Sequence, residues 1–258
     1  LIISYFVLIL CMALLAAIKF DIGPIQFHVA EQGIFNFPYI WHFNTWVAAI
    51  LKLFLAIVIV SMMSNEYSYQ TLKQNLIDGL SKKEFVVSKF ITVLLFAFIS
   101  TLFVFIVSMI LGLMFSDFNE IGIIFSQMEY LLAYFVKLLG FFSFCLFLGI
   151  LVKRSAFALG FLLIWFILES IAFGLLKWQF FKGTDIANHI SQFFPLQAMS
   201  NLIVEPLSRL GAIKTAASQL GEGFAKSYDV SWSAFVIVLA WTFIFSWLSY
   251  VVLKKRDL

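Results

Sequence analysis

The sequence predicts an all-α fold: a polytopic integral membrane protein with six transmembrane helices, forming a single transmembrane domain over residues 1–258. Three observations carry this. First, 63% of the 258 residues are apolar, 33 are Phe, only 12% are charged, and the mean hydropathy is +1.02. Globular domains run at roughly 45–50% apolar and about 25% charged. A water-soluble chain with this composition would expose apolar patches and aggregate. Second, six runs reach the roughly 20 apolar residues that a helix needs to cross hydrocarbon. Third, the Lys and Arg residues of the short connectors segregate to one side.

The runs are justified in order. Residues 1–20 are too long for the apolar core of a signal peptide and read as the first span. The chain opens on Leu1, not Met, so a missing N-terminal piece is expected. The later spans fall roughly at 45–63, 87–115, 130–152, 155–176 and 232–253. Connectors 21–44 and 116–129 hold no Lys or Arg, whereas 64–90 holds Lys73, Lys82, Lys83 and Lys89. The turn after the fourth span holds Lys153 and Arg154, and the tail holds Lys254, Lys255 and Arg256. Positive charge stays on the cytoplasmic side. Both termini, the 64–86 connector and the 153–154 turn are therefore expected to be cytoplasmic. Segment 177–231 is then external, and its alternating apolar and polar runs, punctuated by Pro195 and Pro206, predict short interfacial or re-entrant helices or a plain surface loop. Cys11 and Cys145 fall in apolar runs and read as buried hydrophobes with no disulfide. Trp46 and Trp232 read as interfacial anchors near span ends. Trp165 and Trp241 form no cofactor box with them.

The stretch NEYSYQTLKQNLIDGLSKKEF, residues 65–85, breaks the apolar pattern. Tyr69, Leu72 and Leu76 share one helix face, and Ile77 widens it. Gly79 suits the left-handed position that ends a helix. Ser81-Lys82-Lys83-Glu84 is a capping box, flanked by Leu80 and Phe85 at the staple positions. The chain is expected to form a short amphipathic helix, stop at Gly79, and restart as the third span. Such a helix can lie on lipid, stand in solvent, or dock into a protein groove. Its polar face carries one Lys, Lys73, between Glu66 and Asp78, which suits docking better than lipid binding.

Glu66, Thr71, Gly79-Leu80-Ser81-Lys82 and Lys89 together resemble the signature of membrane (permease) subunits of type-2 ATP-binding-cassette (ABC) transporters. Gln70 stands where that family usually has Gly, Gly79 where it has Pro, and Lys82 where it has Arg. The tail Lys254-Lys255-Arg256-Asp257-Leu258 is similar to the family's ending. The resemblance implies an ABC exporter whose translocation path this chain forms. It implies two ATP-binding-cassette ATPase subunits carrying ATP and Mg, and a second membrane subunit, either a copy or a paralogue. Residues 65–78 would be the coupling helix, with Glu66, Tyr69, Gln70, Thr71, Leu72, Lys73 and Leu76 contacting the ATPase. It also implies a multi-pass place in the cell membrane, a bacterial inner membrane, and no cofactor on this chain. The family's amphipathic helix before the first span has no counterpart here.

No Walker A pattern occurs in the sequence, and no H-E-x-x-H, G-x-S-x-G or paired-carboxylate arrangement. No catalytic residue is assigned. His28, His42 and His189 are scattered in predicted connectors and read as loop residues, not metal ligands. Lys52, Lys137 and Glu169 lie within spans, each about 12 Å down from the external end at 1.5 Å per residue. A lone charge there costs at least about 2.5–3.5 kcal/mol. Pairing of Glu169 with Lys52 or Lys137 is expected, with outward snorkelling as the other reading for each lysine. This cluster supports the second functional class, a secondary transporter or channel. That class would also call for broken spans, which Gly140 and Gly160 could supply.

Overall fold

The computed structural model describes residues 2–11, 19–22, 25–28, 33–118, 120–182, 184, 186–209 and 228–256. Helix α1 spans Ile2–Leu10, and strands β1 (Lys19–Ile22) and β2 (Ile25–His28) pair as an antiparallel hairpin with Lys19 opposite His28. The long helices are α2 (Tyr39–Ser68), α4 (Lys82–Phe115), α6 (Glu129–Val152), α7 (Ser155–Leu175) and α10 (Trp232–Lys254). Short helices lie between them: α3 (Thr71–Ile77), α5 (Ile121–Ile124), α8 (Ile186–Ser191) and α9 (Pro195–Asn201). A π-helical turn, Leu176–Phe180, extends α7. Five segments are long and apolar enough to cross a bilayer: Tyr39–Ser68, Lys82–Phe115, Ile121–Val152, Ser155–Phe180 and Trp232–Lys254. The protein is thus a helical, polytopic, membrane-embedded chain with a small hairpin near its start.

The predicted first span is only partly observed. Ile2–Leu10 is helix, but Lys19 and Phe20 belong to β1, and residues 12–18 lie outside the described residues. Two other boundaries move outward, the first because buried polar residues find partners inside the protein and the second because an exposed capping box starts the helix. Helix α2 starts at Tyr39, ahead of the predicted 45. His42 Nε2 donates to Val204 O (2.8 Å), and Asn44 Nδ2 donates to Ser108 Oγ (2.8 Å). Such internal bonds lower the cost that a hydropathy reading assigns to those side chains, although Asn44 Oδ1 is left without a partner. Helix α4 starts at its capping box, at Lys82, and its 34 residues run about 51 Å.

Helix α6 is the central pillar. It packs against α2, α4, α7, α9 and α10, and its Phe141, Phe142, Phe144 and Tyr134 are buried. Helix α6 runs unbroken through Gly140, and α7 through Gly160. Gly140 does not interrupt its span: a Cβ there would lie 2.7 Å from Val238 Cγ1, so glycine permits close approach of α10. Cys145 is buried as expected, whereas Cys11 is exposed, and neither is in a disulfide. Trp46 is the eighth residue of α2.

Hydrogen bonds sort the connectors into two ends. At the first end Ser64 Oγ donates to Lys153 O (3.1 Å), Ser155 N donates to Ser64 Oγ (3.1 Å), and Lys82 Nζ donates to Arg256 O (2.6 Å). The 64–86 connector, the 153–154 turn and the tail therefore share one end. At the other, Trp41 Nε1 donates to Ile124 O (2.7 Å) and Tyr130 OH to Tyr228 O (2.9 Å). Helix α9 belongs to this second end but reaches inward. Trp241, nine residues into α10 and so about 14 Å from its start, donates to Phe193 O (2.9 Å).

Candidate functional site

The first end of the bundle holds the candidate site, and local backbone chemistry builds it. Helix α2 stops at Ser68, and the chain turns through Gln70, whose φ of 57° and ψ of 16° are left-handed. A non-glycine residue is uncommon there. Helix α3 follows for two turns. It ends with Gly79 at φ 102°, Leu80 N donating to Asn75 O (3.0 Å) and Gly79 N to Leu76 O (3.3 Å). This pair of bonds is a Schellman motif, and its left-handed residue suits glycine. The expected capping box then starts α4: Ser81 Oγ accepts from Glu84 N (3.2 Å), and Ser81 N donates to Glu84 Oε2 (2.8 Å).

Seven residues cannot hold a helix alone in water, so α3 depends on what fastens it. Glu66, in the last turns of α2, is the fastener. One carboxylate oxygen pairs with Lys89 Nζ of α4, and the other accepts from Thr71 Oγ1 at 2.6 Å. The pair is largely shielded, with side-chain exposures of 16% for Lys89 and 15% for Glu66. Lys89 also lies 5.2 Å from the Phe85 ring. Thus one side chain ties together α2, α3 and α4.

A second tie joins this end to the C-terminus. Lys82 Nζ reaches the carbonyls of Arg256 and Lys254. Arg256 donates to Ile150 O, to Leu151 O (2.6 Å) and to the Tyr67 hydroxyl (3.1 Å). Its guanidinium therefore satisfies carbonyls in the last turn of α6, where a cation also meets the helix dipole favourably.

The residues singled out from the sequence divide here. Glu66, Thr71 and Lys89 meet at the junction of α2, α3 and α4, whereas Lys82 turns to the C-terminal carbonyls. Leu72 does not face outward: it is 1% exposed and packs into the core, and Leu76 is partly buried against it. The expected docking stripe is therefore split. Tyr69 (74% exposed), Gln70, Lys73 and Ile77 remain on the surface. Sequence reasoning missed the roles of Tyr67 and Arg256. The basic tail was noticeable, but its partners are carbonyls, which no side-chain pattern reveals.

The intramembrane charges also differ from expectation. Glu169 forms no salt bridge with Lys52 or Lys137. Its carboxylate accepts from Trp165 Nε1 (2.6 Å), Leu196 N (3.2 Å) and Gln197 N (3.0 Å). The last two are free N–H groups in the first turn of α9, where orphan donors and the dipole favour an anion. A backbone partner of this kind is invisible to a search for opposite charges. Lys52 lies 4.5 Å from the centre of the Phe141 ring, and Lys137 is buried at 5% exposure.

His42 is another correction. It is a fully buried residue of α2, stacked on Tyr130 with ring centres 4.2 Å apart. Its Nε2 donates to Val204 O (2.8 Å) and its Nδ1 accepts from Arg209 (3.1 Å). This role is structural, fastening the segment after α9 to α2. His189 is exposed on α8, and the side chain of His28 lies outside the described residues. Among the described residues no group of three or more His, Cys, Asp or Glu could hold a metal.

A protein-family model matches residues 5–258, nearly the whole chain; its description is "Protein of unknown function (DUF2705)". The chain belongs to that family. No curated protein matches this DUF2705 chain.

Proposed function

We propose that this chain is the membrane subunit of an ATP-driven ABC exporter. In this reading it forms the translocation path and takes force from a separate ATPase through residues 65–78. The observation that carries the reading is the convergence at Glu66. The scattered residues that resemble the permease signature, Glu66, Thr71 and Lys89, form one hydrogen-bonded unit that anchors a short helix at one end of the bundle. A helix so anchored can pass displacement to α2 and α4 together. Coupling of this kind needs a contact that differs between two states of the partner.

A second feature supports the resemblance. Gln70, which stands at the family's usual Gly, has the left-handed backbone that glycine adopts without strain. Gly79 argues the other way locally, because proline cannot take a φ of 102°. This chain ends its short helix with glycine where the family uses proline.

The remaining assignments follow from the reading. The Lys- and Arg-rich end is cytoplasmic, with both termini there, and the segment that begins with α1 and stops short of β1 contributes a sixth span. The segment holding α8 and α9 is external and re-entrant. The partners are two ATPase subunits, which carry ATP and Mg, and a second membrane subunit. The alternative, a secondary transporter built on an intramembrane Lys/Glu cluster, is less well supported. Glu169 is committed to α9, and α6 and α7 run unbroken through Gly140 and Gly160. Affinity purification of the full chain from its native membrane tests the proposal. A Walker-motif ATPase should co-purify, and its loss on substituting Tyr69 and Lys73 should leave the chain folded. Recovery of the chain without any such ATPase would refute the reading.

A further inference from the structure

A partly open cavity of about 460 Å³ lies between α2, α6, α7 and α9, and both Lys52 and Lys137 line it. Among the described residues neither ammonium has a carboxylate within 4 Å, and neither donates a hydrogen bond to the protein. The one nearby acid on α7, Glu169, is spent on the first turn of α9. Two lysine amines thus face one largely apolar space with no protein counter-charge, where burial disfavours their charged forms unless an anion completes the site. The mouth indicates where that anion comes from. Ile50 of α2 and Leu163 and Phe166 of α7 line the cavity and are exposed on the outer surface of spanning helices. The mouth is therefore rimmed by the exposed apolar faces of two helices long and apolar enough to cross a bilayer.

We propose that this cavity binds an acidic phospholipid, its phosphate between Lys52 and Lys137 and its acyl chains along the α2–α7 groove. Charge-assisted contacts from two ammonium groups select the anionic headgroup, and the apolar rim selects a molecule with chains. The site does not depend on the transporter reading, since none of the residues that line it belongs to the Glu66–Thr71–Lys89 junction, although α2 runs through both.

Trp46 lines the same cavity and reports on occupancy. The full chain is reconstituted in phosphatidylcholine vesicles containing brominated phosphatidylglycerol or brominated phosphatidylcholine. The Trp46 signal is taken as wild type minus Trp46→Phe. Brominated phosphatidylglycerol should quench it at about tenfold lower mole fraction than brominated phosphatidylcholine, a preference of the size expected for charge-assisted contacts. Lys52→Gln/Lys137→Gln should bring the two lipids to parity. Equal quenching in the wild type, the outcome if both lysines sit neutral, would overturn the proposal. So would a preference that survives the double substitution. Should the double variant fail to fold, Lys52→Gln alone must at least halve the preference. Displacement of the acidic lipid by inorganic phosphate would overturn the assignment to a lipid.

Discussion

Replacing Glu66 by Gln should loosen α3 selectively. The carboxylate receives two donors, Lys89 Nζ and Thr71 Oγ1, and both partners of the ion pair are only about one-sixth exposed. A fully exposed pair would contribute about 0–1 kcal/mol, while stripping one partner from a buried pair costs about 3–5 kcal/mol. Partial shielding places Glu66→Gln between these limits, at about 2 kcal/mol, or roughly 30-fold in the opening equilibrium of the junction. Because α3 is too short to persist unaided, that loss should be local. Hydrogen exchange followed by mass spectrometry on the full chain is the assay. Amides of residues 71–78 should exchange roughly 30-fold faster in the variant, while those of α6 stay unchanged. Lys89→Met should do the same, and the double variant should be no worse than either single one. Additive effects within about 0.3–0.5 kcal/mol would refute the coupling. Unchanged exchange over 71–78 would refute the anchoring role itself.

Other consequences follow from the same geometry. Leu72→Ala should destabilise the chain by about 2–5 kcal/mol because Leu72 is buried, whereas Tyr69→Ala should stay within about 0.5 kcal/mol; thermal unfolding in detergent separates them. Gln70→Gly should raise stability by up to about 1 kcal/mol, by relieving a left-handed backbone, measured the same way. Gly140→Leu should wedge α6 from α10 against Val238 and cost about 1–3 kcal/mol or more, read as a lowered unfolding temperature. Glu169→Ala should release the first turn of α9, exposing residues 195–201 to faster hydrogen exchange; protection equal to wild type would contradict the capping role.

Much of this architecture was legible in the amino-acid pattern, for identifiable reasons. Long apolar runs reveal spanning helices because hydrocarbon tolerates nothing else at that length. The Gly79 stop and the Ser81–Glu84 box were readable because both are local backbone chemistry. The split of the α3 face was not readable. Helical spacing placed Tyr69, Leu72 and Leu76 together, but only tertiary packing turns Leu72 inward and leaves Tyr69 out. The same limit explains Glu169 and Arg256. Each is satisfied by main-chain groups at helix ends, and those groups are identical in every residue type. The start of α2 was misplaced because His42 and Asn44 find partners inside the protein that hydropathy cannot count.

The central claim is that α3 and the surface around Tyr69 and Lys73 receive force from an ATP-hydrolysing partner. Site-specific cross-linking in native membranes tests it most directly, with Cys placed at position 69 or 73 in a chain whose Cys11 and Cys145 are replaced. The account predicts a cross-link to a Walker-motif ATPase that changes in yield when ATP is added. Labelling of the same positions by an impermeant reagent from outside intact cells, with no ATPase cross-link, would contradict it.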